Sequence, residues 1–259
     1  MSITLTYLDD LSRIRVELAS LSEDTVVVQR SSNDALWETV RGGTALPVSS
    51  GAATVDDYEF YPGQTFYRVL DAEDPGAGAV ESDDITVNLD RVWLKSIRHP
   101  FLNRPVTVTD WSDITRQGRG GLFEATGRSV PVAVTDVRGS RGFTVTLLTD
   151  TLTEARDMDL ALAAGRVMFV HVPDDCPIPG GYVAISGTGE ERRSTRGAKR
   201  YWPLECRIVA EPAPQVVPTT LTWRTVRRLY GGWQAVRQSN PTWGPLLDLV
   251  ADLDDAVVI

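Results

Sequence analysis

Short runs in which polar and apolar residues alternate recur along most of this chain, and they constrain its fold more than any other feature. In residues 13–18, isoleucine, valine and leucine occupy every second position, which is the period of a half-buried β-strand. Valine and threonine are frequent, whereas lysine occurs only at Lys95 and Lys199. This composition favours strands, so the sequence predicts a mainly β protein.

The overall composition is that of an ordinary globular protein. Hydrophobic residues make up 42% and charged residues 24% of the 259 positions, so the chain can bury a core. No apolar run approaches the roughly 20 residues of a membrane helix, and the first residues lack the pattern of a signal peptide. Cys176 and Cys206 are too few for a disulfide framework. We therefore expect cytoplasmic synthesis with reduced thiols and no membrane segment.

The first segment, residues 1–90, is predicted to be a small antiparallel β-sandwich. Glycine, proline and aspartate turn signals separate its apolar runs. Residues 58–69 place a Pro-Gly turn before a strand in which Tyr67 and Val69 share a face. This stretch resembles the tyrosine corner of fibronectin type III-like and immunoglobulin-like sandwiches, although any sandwich of seven short strands remains the alternative. The segment has 17 acidic and 5 basic residues, which indicates a separate module with its own neighbours. Solubility of the surface is the alternative explanation of this charge.

The second segment, residues 91–211, is predicted to be a β domain with one helix. The helix spans about 151–165, where Thr151 or Thr153 can cap its start and Glu154 suits the helix dipole. Many strands with a single helix predict a sandwich or barrel with the helix on one flank. The predicted strands are residues 91–95, 105–109, 130–135, 142–148, 166–172, 182–186 and 201–209.

The third segment begins with a proline-rich linker, residues 212–220, because prolines cannot continue a strand ladder. Residues 221–259 then repeat a tryptophan every ten positions, followed three positions later by valine or leucine. This spacing predicts short helices that begin near Thr222, Gly232 and Thr242. The residues predicted to form an interaction surface are Trp223, Val226, Tyr230, Trp233, Val236, Trp243 and Leu246.

Helices this short are unstable alone, because helix nucleation is costly. The stripe of tryptophan, valine and leucine is therefore expected to be buried against a neighbouring subunit or another protein. Packing of this segment against its own middle domain is the alternative.

Candidate chemistry in the sequence is weak. A catalytic dyad of His171 and Cys176, or a zinc site that adds His99 and Cys206, lacks the spacing that prearranges such groups. Residues 118–121 are rich in glycine but lack the lysine and serine or threonine of a phosphate-binding loop, and a flexible loop is expected there. Paired aspartates are typical of turns. We therefore assign no catalytic, metal-binding or cofactor-binding residue, and expect no enzyme.

A basic cluster at residues 190–200 lies between two predicted strands, so it is expected to form an exposed hairpin tip. It includes Arg192, Arg193 and Arg196 but no interleaved aromatic residues, which argues against nucleic-acid binding. We predict a contact between these arginines and an acidic neighbour, and a solvated loop is the alternative.

The motifs along residues 91–250 resemble, in their order, the minor tail proteins of bacteriophages that infect actinobacteria and the distal tail proteins of long-tailed, siphovirus-type phages. The terminal Thr-Trp repeat adds to this resemblance, and the N-terminal sandwich is similar to modules often attached to tail components. The motifs lie at residues 118–123, 127–132, 142–149, 165–170 and 201–206.

This resemblance implies a structural subunit of the virion, made in the host cytoplasm. It implies a homohexameric ring at the distal end of the tail tube that connects the tube to the tip. The middle domain is then a tube-like β-sandwich or split barrel with one helix. The implied partners are other copies of the chain, the tail tube protein, the tape-measure protein and other tail-tip proteins, with DNA only in transit through the lumen. No cofactor is implied.

Two expectations remain to be compared with a structure. The runner-up function is a glycan-binding adhesin module of a tail tip, for which tryptophans must lie open on one surface. The acidic segment 1–90 is expected to stand outside the ring as an added module that can be removed without loss of ring formation.

Overall fold

The structure is a computed structural model that describes residues 2–74, 76, 78–124, 126–213, 223–240 and 249. The described residues are mainly β, as the sequence predicts. They form an N-terminal sandwich, a closed barrel with one helix, a projecting hairpin and two short C-terminal helices. None of the described helices is long and apolar enough to cross a membrane.

The N-terminal unit is a sandwich of two antiparallel sheets. Its strands are β1 (Ser2–Leu8), β2 (Arg13–Ala19), β3 (Thr25–Ser31), β4 (Glu38–Thr39), β5 (Leu46–Pro47), β6 (Ala52–Asp57), β7 (Gly63–Asp71) and β8 (Ala79–Val87). One sheet has the order β1-β2-β6, and the other has the order β4-β3-β7-β8 with β5 also on β3. This arrangement is that of an immunoglobulin-like sandwich. Its core includes Ile14, Val16, Val28 and Tyr67.

The predicted corner tyrosine, Tyr67, is completely buried in the middle of β7. Its hydroxyl donates to Oδ2 of Asp57 at 2.8 Å, and Oδ1 of Asp57 accepts from Arg30 at 2.6 Å. The tyrosine therefore joins the two sheets through a buried ion pair.

The second unit contains the strands β9 (Val92–Ser96), β10 (Arg104–Trp111), β11 (Thr115–Arg116), β12 (Gly120–Phe123), β13 (Val132–Thr135), β14 (Arg141–Thr149), β15 (Met168–His171), β16 (Gly181–Thr188) and β17 (Arg200–Ile208). A 3-10 helix spans Pro100–Leu102. Six of the strands form a barrel in the order β10-β9-β15-β16-β17-β14.

The barrel is closed because β10 also pairs with β14. The register between these two strands shifts between Val108 and Asp110, and a bulge of this kind bends a strand enough to reach a second partner. The resemblance implied a sandwich or split barrel, so closure is the main refinement that the structure adds. Apolar side chains that include Leu94, Val183 and Leu204 fill the core.

Helix α1 (Leu152–Ala163) lies where the sequence predicts a helix. Thr151 is the cap: its hydroxyl oxygen accepts from the backbone N–H of Glu154 at 3.1 Å. The Glu154 carboxylate in turn accepts from the N–H of Asp150 at 2.9 Å, which completes a reciprocal capping arrangement. Ala155 and Met158 turn toward the barrel core.

Helices α2 (Trp223–Tyr230) and α3 (Trp233–Ser239) occupy the first two tryptophan repeats. They begin next to the predicted starts, and Gly232 is the N-cap residue of α3. The third repeat, with Trp243 and Leu246, lies outside the described residues, as does the predicted start at Thr242.

Candidate assembly surfaces

A two-stranded hairpin projects from the barrel between β10 and β14. We call residues 112–140 the arm. Strands β12 and β13 pair only with each other among the described residues. Two further backbone bonds, from Asp136 N to Arg119 O at 2.9 Å and from Gly139 N to Gln117 O at 2.8 Å, extend the ladder toward the barrel. The described residues of the arm are all exposed except Gly121 and Gly139, which are half-buried.

One face of the arm is apolar. Phe123 pairs with Val132, and Gly121 pairs with Val134, so the side chains of Phe123, Val132 and Val134 share a face. Phe123 is 60% exposed and Val134 is 56% exposed. An isolated two-stranded hairpin is marginally stable in water, and an apolar patch this exposed marks an interaction surface.

The sequence interpretation predicted one strand of the arm, at residues 130–135, but missed its partner β12 and the hairpin that the two strands form. Residues 118–121 were expected to be a flexible loop before a strand, but β12 begins at Gly120. This glycine has φ +151, and a Cβ there would lie 2.2 Å from the carbonyl oxygen of Val134. Glycine therefore permits the close pairing of the two strands. The sequence does contain a signal for this hairpin: apolar residues stand on both sides of residues 124–131, with Leu122 and Phe123 before them and Val132 and Val134 after them.

The C-terminal helices separate the tryptophans from the valines. Val226 and Val236 are buried, whereas Trp223 is 69% and Trp233 50% exposed. The two indole rings lie 5.6 Å apart between centroids. Within the described chain only the valines of these two repeats are buried. Burial of the tryptophans against a neighbouring subunit or another protein stays a prediction. Tyr230, which ends α2, is half-buried.

The basic cluster lies where it was predicted, in the loop between β16 and β17. Arg192, Arg193 and Arg196 are exposed. The Arg193 guanidinium lies 4.5 Å from the centroid of the Tyr201 ring, so a cation–π contact holds it. An acidic partner for this loop stays a prediction.

The sandwich and the barrel meet around a buried ammonium group. The Nζ atom of Lys95, on β9, lies 2.6 Å from the Ser12 carbonyl oxygen, 2.8 Å from the Tyr58 carbonyl oxygen and 2.7 Å from Nδ1 of His171. These three acceptors match the three donors of an ammonium group. Two of them come from the sandwich and one from the barrel, so Lys95 fastens the two units together.

His171, one of the residues weighed for catalysis, therefore belongs to this junction. Its ring is buried, and no hydrogen-bond partner of Nε2 is found among the described residues. Burial, and then the positive charge of Lys95, holds the pKa of His171 well below its ordinary value. Burial also holds the pKa of Lys95 well below its ordinary value. In the neutral tautomer that carries its proton on Nε2, Nδ1 is free to accept from Lys95.

The other residues weighed for chemistry lie apart. Cys206 is on β17, and burial raises the pKa of its thiol to about 12. Cys176 is half-buried in the loop after β15. The described part of the chain brings together no group of three His, Cys, Asp or Glu side chains that could hold a metal ion.

Further polar contacts cross the same junction. The hydroxyl of Tyr182, on β16, donates to Glu59 Oε2 at 2.9 Å. Arg41, from the sandwich, donates to Glu59 Oε1 at 3.0 Å and to the carbonyl oxygen of Ala213 at 2.9 Å. Its Nη2 lies 3.1 Å from Glu211 Oε1. The start of the predicted linker is therefore held against the sandwich.

Comparison with known proteins assigns no family. No protein-family profile matches the chain, and no curated protein matches it significantly.

Proposed function

We propose that this chain is a structural subunit of the tail of a long-tailed, siphovirus-type bacteriophage. In this proposal it forms a ring, most simply of six copies, that connects the distal end of the tail tube to the tip. The observation that carries the proposal is the arm, which extends from a closed barrel with its apolar face exposed. None of the described residues covers that face, and in this proposal the cover comes from another molecule.

A second copy of the chain is the simplest source of that cover. An arm that binds the barrel of the next copy makes a head-to-tail contact, and head-to-tail contacts close into rings when the rotation allows it. The six barrel strands each pair with a neighbour on both sides, so the arm is expected to bind a barrel surface by side-chain packing. The tail tube protein, the tape-measure protein and tip proteins are the further proposed partners, with DNA in transit through the lumen.

The test is the composition and structure of purified phage particles that contain the chain. Mass spectrometry of the particles is expected to find it in the tail fraction, and labelling with an antibody is expected to mark the junction of tube and tip. Absence of the chain from particles, or a location away from the tube end, contradicts the proposal.

The exposure of Trp223 and Trp233 favours a second candidate, a glycan-binding module of a tail tip. Gln234, Arg237 and Gln238 border the hollow beside Trp233, and such polar groups can bond sugar hydroxyls while an indole stacks on the ring. Calorimetric titration with host cell-wall fragments tests this function. Saturable binding that Trp233→Ala abolishes supports it, and absence of binding at millimolar fragment contradicts it.

A further inference from the structure

The two C-terminal helices present one face that is both aromatic and basic. Trp223 and Trp233 are each followed four positions later by an exposed arginine, Arg227 and Arg237. Residues four apart share a helix face, so each helix shows solvent a tryptophan and an arginine. We call these four side chains the Trp–Arg face. Residues 223–240 contain four arginines and no acidic residue.

The sandwich presents the opposite charge. Eleven carboxylate side chains within residues 2–90 are exposed, and none of the exposed residues described there is a lysine or arginine. The positive charges are absent from this surface because all five arginines of the sandwich are buried or half-buried. Three of them form ion pairs with carboxylates that are not exposed either: Arg13 with Asp56, Arg30 with Asp57 and Arg41 with Glu59. The eleven exposed carboxylates therefore form an anionic surface without interspersed positive charges. The net charge of the segment does not reveal this separation.

The anionic surface includes an edge of the sandwich. Asp83 and Asp84 lie on β8, which ends one sheet, and Glu73 and Asp74 lie in the connection that precedes it. Acidic side chains on an edge strand prevent unspecific strand pairing. They also leave this edge open to a cationic partner.

We propose that the Trp–Arg face of one copy binds the acidic edge of the sandwich in a second copy. Charge complementarity selects this occupant. The chain has a net charge of −9, and residues 223–240 contribute +4, so the remainder carries −13. An anionic membrane attracts the helices and repels the remainder, and so does the net charge of a second copy. The second copy, however, also offers the exposed carboxylates of its acidic edge as direct partners for Arg227 and Arg237.

The contact is proposed between two copies and not within one chain, because the tryptophans are exposed in the single chain. Trp223 and Trp233 are at least half exposed, so their own sandwich does not cover them. Complete burial of a tryptophan removes on the order of 150–250 Å² from water. Since Trp223 is 69% and Trp233 50% exposed, the contact gains only the exposed part of each ring, which supplies its apolar component. This inference goes beyond the ring and does not depend on it, because the arm contributes no residue to the contact.

The experiment compares full-length charge-reversal variants by sedimentation equilibrium over a range of protein concentrations. We expect Arg227→Glu/Arg237→Glu to weaken self-association at least tenfold, and Asp74→Lys/Asp83→Lys to do the same. A mixture of these two variants is expected to associate again, because the acidic helices of the first variant complement the basic sandwich edge of the second. Arg166→Glu/Arg207→Glu and Asp175→Lys, all at exposed barrel positions, are the controls and are expected to associate normally.

Three results overturn the proposal. The first is unchanged association of both charge-reversal variants. The second is a loss of monomer stability at every concentration without a change in mass, which indicates binding within one chain. The third is binding of the wild-type chain to phosphatidylglycerol vesicles with no charge-dependent self-association. If only variants of the arm lose association, the result bears on the proposed ring and not on the contact between the Trp–Arg face and the acidic edge.

Discussion

Lys95 is the residue on which the two β units depend most. It is 1% exposed and contributes hydrogen bonds to two sandwich carbonyl groups and one barrel imidazole. Removal of one partner from a buried polar network leaves the others without hydrogen bonds, which costs more than the bonds themselves contribute. This role could not be predicted from the strand pattern, because a lysine inside an alternating strand is normally exposed.

The first prediction uses the only two lysines of the chain as a matched pair. Lys95→Met is expected to lower the free energy of unfolding by about 3 kcal/mol, because it leaves three buried acceptors unpaired. Lys199→Met removes a surface ion pair with Asp150 and is expected to cost less than about 1 kcal/mol. Urea unfolding of both variants measures the difference, and equal losses contradict the buried ammonium.

The second prediction concerns pH. The pKa of His171 is lower in the folded protein than in the unfolded chain, so the unfolded chain binds a proton first as pH falls. Stability is therefore intact above about pH 6.5 and declines below it, by up to about 1.4 kcal/mol per pH unit from this group. His171→Gln keeps an acceptor but does not titrate. Urea titrations between pH 7.5 and 5 are expected to show a shallower decline in the variant, and equal slopes contradict the assignment.

At the scale of elements, the sequence was informative wherever one face of an element is buried. The strands of the sandwich, the cap at Thr151 and the starts of α2 and α3 follow from local pattern and agree with the structure. The arm followed only in part. Its second strand, β13, lies within the strand predicted at residues 130–135, but β12 begins in a glycine-rich stretch that was expected to be a loop. Barrel closure did not follow, since it depends on a bulge near Val108 that local pattern does not reveal.

The third prediction tests the arm through its glycines. Gly120→Ala places a Cβ against the carbonyl oxygen of Val134, whereas Gly118 has open space around it. We expect Gly120→Ala to disrupt the β12–β13 pairing while the barrel keeps its melting temperature. Gly118→Ala is the control. Limited proteolysis within residues 117–139 is expected to be faster in Gly120→Ala only, and equal rates argue against the paired arm.

At the scale of the whole molecule, the sandwich and barrel share the buried junction around Lys95 and Glu59. This changes the expectation that residues 1–90 form a removable module. Their deletion uncovers Lys95 and removes Glu59, the acceptor of Tyr182. The position of the acidic unit outside a ring stays a prediction, but the unit is not independent of the barrel.

The fourth prediction follows from that junction. The full chain is expected to unfold with sandwich and barrel in one cooperative transition, and a fragment that begins at residue 91 is expected to be markedly less stable than the barrel in the full chain. Calorimetry measures both. Two well-separated transitions, or a fragment of undiminished stability, show that the junction contributes little.

The most direct test of the central claim is a reconstruction of the intact tail by electron cryomicroscopy. We expect six copies of this chain in a closed ring at the distal end of the tube. The apolar face of each arm, at Phe123, Val132 and Val134, is then buried against the next copy. A single copy or an isolated dimer at that site, or a ring whose arms extend into solvent, contradicts it.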